Sequence, residues 1–480
     1  MLRSTKIVAT LGPASSEPET LERMFLAGVD VVRLNFSHGA AEDHIRRAED
    51  VRRACQRTGR TVGIMADLQG PKIRVGKFKD GKVMLKAGAA IVLDAECELG
   101  DGERVGLDYK ELPRDVHSGD VLLLDDGRIV FDVTKVAGTQ VHCRVRHGGV
   151  LSNNKGINRQ GGGLTAPALT TKDMDDIRTA ARINIDYLAV SFPKSSADMY
   201  MARQLLRAAG GEAFLIAKIE RAEAVLPAAL EDIMSACEGI MVARGDLAVE
   251  VGDAAVPALQ KRMIRLARER NKLTITATQM MESMISSPIP TRAEVSDVAN
   301  AVLDGTDAVM LSAETASGQY PVETIESMSR ICIDAEQSAP VTLDRDFLER
   351  VFTRVDQSIA MAALFTAYHL KVKAIASLTE SGSTALWMSR LNCGVPIYAL
   401  TSQASTRYRT SLFRDTYPLV VRYIGEDREE LLEEAEQVLV RSGVVKDGDL
   451  IVLTIGEPIG KSGGTNTMKI VKVGDNRKPE

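Results

Sequence analysis

The segment from residue 187 to residue 247 decides the fold class. It contains three short apolar runs, YLAVSF (187–192), AFLIAKIE (213–220) and GIMVARGDL (239–247), and the amphipathic stretch Ala197–Ala209 lies between the first two. Runs that are apolar on both faces are typical of parallel strands covered by helices. These units therefore predict an α/β fold with a parallel sheet.

The same alternation extends in both directions along the chain. The predicted strands are Lys6–Gly12, Val29–Ser37, Thr61–Leu68, Tyr187–Phe192, Ala213–Glu220, Gly239–Leu247, Leu273–Met280 and Ala308–Thr315. Most are separated by one amphipathic, helix-like segment. Eight repeats of a strand and a helix predict a closed (β/α)8 TIM barrel.

Two regions interrupt this pattern. Residues 71–166 are rich in Gly, Val and Asp and predict a small all-β domain inserted in the third strand-to-helix loop, with a hinge or exposed loop at Asn153–Gly163. Residues 341–480 predict a C-terminal α/β domain, in which Arg345–Tyr368 is helical and Glu429–Arg441 is a charged helix without an evident cap. The barrel then takes residues 1–70 and 167–340.

Composition excludes several classes of protein. The net charge of −5 argues against a nucleic-acid-binding protein, which needs a basic excess. The sequence contains no stretch of 18 uncharged apolar residues, so it predicts no membrane span. The six cysteines are widely spaced, without a C-x-x-C pair, which favours reduced thiols and a cytoplasmic location. The histidines show no zinc-ligand spacing.

Polar side chains gather where the predicted barrel strands end, and in a barrel of this type those ends form the active site. They are Arg33, Asn35, Ser37 and His38 on strand two, Asp67 on strand three, Lys218 and Glu220 on strand five, Arg244 and Asp246 on strand six, Thr278 and Gln279 on strand seven, and Ser312 and Glu314 on strand eight. Because an unpaired buried charge is costly, a shared ligand or metal explains their convergence best.

Glu220 and Asp246 are two carboxylates on neighbouring strands, a ligand set that suits Mg²⁺. Lys218 lies two residues before Glu220 and so shares its face of the strand. With Arg33 opposite, these side chains form a clamp for a phosphoryl group, whose transfer depends on positioning and positive charge. The alternative is a purely structural ion network at the barrel mouth.

A second candidate anion site lies in the C-terminal region. Thr379-Glu-Ser-Gly-Ser-Thr384 follows a predicted strand and opens a predicted helix, Ala385–Leu391, so backbone N–H groups and hydroxyls face any anion there. The alternative is a simple helix-capping run.

Nine stretches of the chain resemble the pyruvate kinases, in the same order and nearly from end to end. They are TKIVATLGP (5–13), VRLNFSHG (32–39), DLQGPKIR (67–74), KIERA (218–222), GIMVARGDL (239–247), ATQMMESM (277–284), PTRAE (290–294), DVANAVLDG (297–305) and MLSAET (310–315). The resemblance implies transfer of phosphate from phosphoenolpyruvate to ADP, giving pyruvate and ATP.

The resemblance also implies a role for each site residue. Arg33 contacts the transferring phosphoryl group, Lys218 stabilises charge in the transition state and on the enolate oxygen, and Thr278 helps to protonate the substrate methylene through water. Backbone N–H groups of Gly245 and Asp246 bind the substrate carboxylate, and the side chains of Glu220 and Asp246 bind Mg²⁺, with Mn²⁺ as a substitute. The residues that face the nucleotide phosphates are Asn35, Phe36, Ser37, His38, Arg74 and Lys155. The insert is expected to be a β-barrel lid that excludes water, and the enzyme a homotetramer with a regulatory C-terminal domain.

The chain departs from the family pattern at the cation site. Many members need K⁺, held by the equivalents of Asn35, Ser37, Asp67 and the backbone of Leu68, and those members carry Glu where this chain has Lys72. We expect the Lys72 ammonium to replace K⁺, so that K⁺ is not required. The alternative is that Lys72 is a hinge lysine and the other residues still bind K⁺.

The regulatory loop departs as well, at Ser383, and resembles the bacterial subgroup that responds to sugar monophosphates or AMP. We therefore expect a phosphorylated activator held by Thr379, Ser381, Ser383 and Thr384. Two other functions stay open at this stage: a Mg²⁺-dependent barrel lyase acting on a pyruvate enolate, which would need neither Arg74 nor Lys155, and a non-catalytic metabolite sensor, which would be expected to lack Lys218 or a metal ligand.

Overall fold

Eight parallel strands close into the barrel that the repeats predict. The computed structural model describes residues 2–339, 351–422, 427–459 and 463–475. The chain passes through β1 (Lys6–Thr10), β2 (Val31–Asn35) and β3 (Gly63–Asp67), enters the insert with strands β4 to β13, and returns through β14 (Tyr187–Val190), β15 (Phe214–Ile219), β16 (Gly239–Ala243), β17 (Leu273–Ala277) and β18 (Ala308–Leu311). Pairing of β1 with both β2 and β18 closes the barrel.

Helices cover the outside of the barrel. They are α1 (Pro18–Ala27), α2 (Ala41–Thr58), α4 (Thr171–Arg182), α5 (Ser196–Ala208), α6 (Pro227–Ser235), α7 (Arg244–Val251), α8 (Val256–Glu269), α9 (Arg292–Leu303), α10 (Ala313–Ala316) and α11 (Pro321–Ser338), while the short α3 (Leu112–Asp115) lies in the insert. Their apolar faces and the outward faces of the strands share one large core. No helix in the described part of the chain is both long enough and apolar enough to cross a membrane.

The strands end earlier than the sequence pattern predicts. The run Gly239–Leu247 was expected to be one strand, but β16 stops at Ala243 and Arg244–Val251 forms α7. Asp246 therefore lies in the first turn of a helix rather than on a strand. Periodicity cannot separate a buried strand from a buried helix turn that follows it directly, because both are apolar.

The insert is all-β apart from α3, and it has a hydrophobic core of its own. Its strands are β4 (Lys77–Phe78), β5 (Lys82–Leu85), β6 (Ala90–Asp94), β7 (Leu99–Gly100), β8 (Arg104–Val105), β9 (Val121–Leu124), β10 (Ile129–Ala137), β11 (Gln140–His147), β12 (Gly149–Ser152) and β13 (Ile157–Arg159). They form one six-stranded sheet and two two-stranded sheets, rather than a closed β barrel.

In its described residues the C-terminal domain has a five-stranded sheet in the order β21-β20-β19-β22-β23, in which β23 is antiparallel to its neighbour and the other strands are parallel. Its elements are α12 (Val355–Leu370), β19 (Ala374–Leu378), α13 (Ser383–Ser389), β20 (Ile397–Thr401), α14 (Ala404–Thr410), β21 (Thr416–Val420), α15 (Arg428–Arg441), β22 (Leu450–Gly456) and β23 (Thr465–Lys472).

The start of this domain lies partly outside the described residues. The predicted boundary at residues 340/341 and the first part of the helix predicted at Arg345–Tyr368 lie outside the described residues, and the described helix there, α12, begins at Val355. The helix expected to lack a cap is capped, because the Asp427 side chain accepts hydrogen bonds from the N–H groups of Glu429 and Glu430.

A buried ion pair joins the C-terminal domain to the floor of the barrel. Arg390, which directly follows α13, places Nη1 2.9 Å from Oδ2 of Asp307 and donates to the Lys272 carbonyl. Both side chains are almost fully buried. Asp307 directly precedes β18 and Lys272 precedes β17, so this contact fixes α13 against the starts of two barrel strands.

Candidate active site

Lys218 lies at the centre of the barrel mouth, at the carboxyl end of β15. Its Nζ is 2.9 Å from Oε1 of Glu220, 3.3 Å from Oδ1 of Asp67 and 2.7 Å from Oγ of Ser191. These residues follow or end strands that are direct neighbours, β3, β14 and β15. The barrel therefore brings together the lysine and carboxylates that the sequence placed at strand ends.

Arg33 approaches the same carboxylate from β2. Its Nε donates to Oδ2 of Asp67 at 2.6 Å, and its Nη1 donates to Oγ1 of Thr10 at 3.1 Å. Asp67 is thus held between two cations, Arg33 and Lys218. Both cationic side chains are only 12% exposed, so they form a fixed positive surface at the mouth.

Burial and charge set the ionisation of this group. Burial alone would raise the pKa of Asp67, but the charges of Lys218 and Arg33 outweigh it and hold that pKa below its usual value. Burial likewise opposes the charge on Lys218, and the neighbouring Asp67 and Glu220 overcome it, so the pKa of the ammonium is raised. Lys218 and Asp67 are both charged at neutral pH.

Glu220 behaves differently. Burial and the charge of Asp246 raise its pKa to about 7, against the opposing charge of Lys218. Its Oε2 accepts a hydrogen bond from the backbone N–H of Phe192 at 2.9 Å, which aims the carboxylate. Two mutually repelling carboxylates at one mouth suit a divalent cation, since it would favour the ionised form of both.

The chemistry of these donors fits Mg²⁺ better than it fits a metal whose ligands all come from protein side chains. Within the described ranges, no group of three or more His, Cys, Asp or Glu side chains could hold a metal ion. Mg²⁺ commonly binds one or two protein carboxylates and takes its other ligands from water and substrate oxygens. Glu220 and Asp246 are the two carboxylates here that could form such a set.

Thr278 directly follows β17 and has a left-handed backbone, with φ of 71°. This conformation is costly for a β-branched residue and is typical of functional sites. Its Oγ1 accepts a hydrogen bond from the N–H of Gly245 at 2.8 Å, so that N–H is engaged within the protein. Arg244 does not face the cluster: it donates to the Thr278 carbonyl and pairs with Asp297.

Lys72 lies near Asp246, one of the two candidate Mg²⁺ ligands. Its Nζ is 3.9 Å from Oδ1 of Asp246, and its side chain is 37% exposed. In the expected monovalent-cation region, Oδ1 of Asn35 accepts the Ser37 N–H at 3.1 Å and the Leu68 carbonyl accepts Oγ of Ser191 at 2.8 Å.

The residues expected to face nucleotide phosphates fall into two groups. His38 is exposed, but the Phe36 side chain is buried and stacks on His44, with ring centroids 4.0 Å apart. The Phe36 side chain is therefore part of the core, and only its backbone can face a ligand. Arg74 and Lys155 lie on paired segments, since Arg74 bridges Gly156 and the Val75 N–H donates to the Lys155 carbonyl.

The C-terminal candidate loop lies beside a pocket, as its sequence position indicates. The lining includes Thr379, Ser383 and Thr384 but not Ser381, and its described members include no lysine or arginine. Two hydroxyls are already engaged: Oγ1 of Thr379 accepts the Gly382 N–H, and Oγ1 of Thr384 is 2.6 Å from Oγ1 of Thr465.

Sequence reasoning missed Ser191 and Thr10, which contact Lys218 and Arg33. A signal for both existed. They lie at the carboxyl ends of β14 and β1, where the rule that strand ends carry the site also applies. Glu314, by contrast, was singled out but accepts backbone N–H groups of Ser312 and Met281, so its described role is structural.

Comparison with known proteins gives matches along nearly the whole chain. The pyruvate kinase barrel domain matches residues 2–325, and the pyruvate kinase alpha/beta domain matches residues 357–471. The chain is 52% identical to pyruvate kinase II of Salmonella typhimurium, over 98% of this chain and 99% of the relative. It is 52% identical to the pyruvate kinase of Haemophilus influenzae (95% and 96% covered) and 42% identical to that of Geobacillus stearothermophilus (99% and 81% covered).

Proposed function

The chain belongs to the pyruvate kinase family, whose enzymes convert phosphoenolpyruvate and ADP to pyruvate and ATP, and we propose that Lys218 and Arg33 carry this transfer here. The observation that supports the assignment most strongly is the position of Lys218, buried between Asp67 and Glu220 with Arg33 on the far side of Asp67. A preorganised cation of this kind stabilises charge that develops during reaction.

In the proposed mechanism the phosphoryl group moves in line. The bond from phosphorus to the enol oxygen breaks, and a bond to the terminal β-phosphate oxygen of ADP forms. Arg33 binds the oxygens of the moving group, and Lys218 stabilises the charge left on the enolate oxygen. A proton then reaches the methylene carbon through a water held by Thr278, which gives pyruvate.

Glu220 and Asp246 would hold Mg²⁺, or Mn²⁺ in its place, which supplies positive charge to the substrate carboxylate and phosphoryl oxygens. The backbone N–H groups of Gly245 and Asp246, in the first turn of α7, bind the carboxylate of the substrate. The N–H of Gly245 donates to Thr278 in the described structure, so substrate binding would replace the Thr278 hydroxyl by the substrate carboxylate as the acceptor.

Removal of divalent metal tests this assignment. We expect EDTA to abolish pyruvate formation and Mg²⁺ or Mn²⁺ to restore it, because the metal supplies the positive charge that faces the substrate carboxylate and phosphoryl oxygens. Metal binding measured calorimetrically should be lost in Asp246→Asn, and Asp253→Asn, on the short turn just after α7, is the control. Full turnover in EDTA would contradict the metal assignment.

Lys72 is the proposed substitute for a monovalent cation. Its ammonium lies near Asp246, and two of the expected K⁺ ligands, Asn35 Oδ1 and the Leu68 carbonyl, are engaged in hydrogen bonds within the protein. Each of these oxygens keeps a second lone pair, so the position of the ammonium is the observation that supports an enzyme that works without K⁺.

The insert is proposed to be a lid over the nucleotide. The backbone and polar side chains of residues 35–38 would face the phosphates from the barrel, and Arg74 and Lys155 from the junction of the insert. Closure would exclude water from the transfer. A lyase has no nucleotide phosphates to bind, and the family match decides against that alternative; the presence of Lys218, Glu220 and Asp246 argues against a non-catalytic sensor.

A phosphorylated activator is proposed to bind the loop of residues 379–384. The absence of lysine and arginine from the described lining favours a single phosphate over a bisphosphate. Contacts from Arg390 to Asp307 and to the Lys272 carbonyl offer a route from α13 to barrel strands β17 and β18.

Ser383→Asp should remove activation by sugar monophosphates and AMP, since a carboxylate repels a phosphate at the pocket lining. Activity without activator should stay within about twofold, because the loop is remote from the barrel mouth. Rate measurements over a series of phosphates test this, with Ser405→Asp on α14 as the control. Unchanged activation by every phosphate tested would contradict the site.

A homotetramer is proposed from the family resemblance. Exposed apolar side chains at Ile289, Val295 and Leu303, on α9 and the loop before it, provide one surface for contact between subunits. Ile470 on the edge strand β23 provides a second in the C-terminal domain.

A further inference from the structure

The segment through which the chain returns from the insert to the barrel has an unusual backbone. Gly161, Gly162 and Gly163 have φ of 83°, 78° and 90°. Residues other than glycine rarely adopt these φ values, so three in succession indicate a backbone conformation at this position that requires glycine. This glycine run lies in the stretch that the sequence indicated as a hinge or exposed loop.

Arg221 anchors the residues that follow this run. It is 4% exposed. Its Nε donates to the Phe192 carbonyl at 3.0 Å, its Nη1 to the Leu164 carbonyl at 3.0 Å, and its Nη2 to the Ala166 carbonyl at 3.4 Å. All of these acceptors are backbone carbonyls. A buried guanidinium must have its donors satisfied, so displacing the segment would be costly.

Glu223 anchors the glycine run itself. Its Oε1 accepts a hydrogen bond from the Gly163 N–H. A Cβ atom at Gly162 would collide with the same carboxylate, so the backbone lies directly against it. Among described residues Oε2 of Glu223 is buried and has no hydrogen-bond partner, and it is the atom that a Gly162 Cβ would meet first.

One residue, Phe192, links this anchor to the active site. The N–H of Phe192 donates to Oε2 of Glu220, and the carbonyl of Phe192 accepts from Arg221. Phe192 is held at a φ of 55°, in the left-handed region that is uncommon for a phenylalanine. The same residue therefore orients a metal carboxylate and receives the arginine that holds the insert.

We propose that Arg221 and Glu223 are positioning residues that fix the return segment, residues 161–166, to the barrel and thereby set the closed position of the insert over the nucleotide. The proposal rests on the proposed function, in which ADP binds between insert and barrel. Along the sequence KIERAE, Lys218 and Glu220 serve the reaction, and Arg221 and Glu223 serve the insert.

Amide hydrogen exchange and steady-state kinetics test this together. Arg221→Met keeps the volume and removes the donors, and Glu223→Leu removes the acceptor of Gly163 if the first variant folds poorly. We expect amide exchange in residues 161–166 to accelerate by about tenfold or more. We expect the KM for ADP to rise about tenfold, while kcat at saturating ADP changes less than about threefold.

Arg262→Met is the matched control, because Arg262 also donates to a backbone carbonyl of this region, that of Val225, but does not touch the insert. Unchanged exchange in residues 161–166 in both folded variants would overturn the proposal. So would faster exchange with an unchanged KM for ADP, or the same changes in the control. Exchange does not depend on turnover, so an inactive wild-type enzyme would count against the proposed function and leave this test intact.

Discussion

Lys218→Met should lower kcat for pyruvate formation by about 1000-fold or more, the scale of losing a charged group aimed at a developing oxyanion. Lys218 is the group that faces both Asp67 and Glu220, and it is the proposed stabiliser of the enolate oxygen. Without its ammonium, Glu220 loses the charge that opposes the rise of its pKa. Metal binding should weaken as well, so the rate is measured at saturating Mg²⁺.

Stability must be measured beside the rate. Removing one partner of a buried ion pair costs about 3–5 kcal/mol. Thermal unfolding with and without Mg²⁺ therefore accompanies the kinetics. Lys261→Met, at a surface pair with Asp304 on the outside of the barrel, should keep kcat within about twofold. A folded Lys218→Met variant with kcat within tenfold of wild type would contradict the role of this lysine.

Lys72→Glu should convert the enzyme to one that depends on K⁺. The substitution removes a positive charge 3.9 Å from Asp246 and places a carboxylate in its stead. In buffer free of K⁺ we expect turnover to fall by about 100-fold, which corresponds to roughly 3 kcal/mol of lost stabilisation. Added K⁺ at constant ionic strength should raise the turnover of this variant by at least about tenfold.

Lys77→Glu makes the same charge change at an exposed position on strand β4 of the insert and serves as the control. Rates over a K⁺ titration are compared for wild type and both variants. If Lys72→Glu keeps wild-type turnover without K⁺, the lysine does not replace the cation. If K⁺ rescues neither its rate nor its affinity for substrate, a general structural role explains the loss better.

The barrel could be predicted from sequence because its signal is repeated. Strands buried on both faces are continuous apolar runs, and eight of them separated by helices leave little choice of fold. The ends of the strands were less certain. At Gly239–Leu247 the apolar run continues into α7, so the hydrophobic pattern does not indicate that the strand ends at Ala243.

The site was predictable to the extent that it lies at strand ends. Lys218, Glu220, Asp67 and Arg33 meet as expected, since adjacent parallel strands present their carboxyl ends together. Phe36 shows the limit of this reasoning. It lies among polar residues in VRLNFSHG, but it is buried in the large core with His44 of α2 stacked on its ring.

The anchors of the insert could not be predicted at all. Arg221 follows Glu220 directly, and sequence position suggests one more charge at the mouth. Its contacts with the carbonyls of Leu164 and Ala166 depend on the path of a segment more than fifty residues earlier in the chain. Such long-range contacts leave no local periodicity, and neither does the pairing of Arg390 with Asp307.

The most direct test of the account is pyruvate formation from phosphoenolpyruvate and ADP with Mg²⁺, in buffer free of K⁺ and adjusted with a large inert cation. We predict clear turnover that added K⁺ raises by less than about twofold, as expected if Lys72 supplies the charge near Asp246. Turnover that appears only after K⁺ is added would contradict the role of Lys72. No pyruvate even with K⁺, sugar phosphates and AMP present would contradict the assignment of the reaction to the Lys218 site.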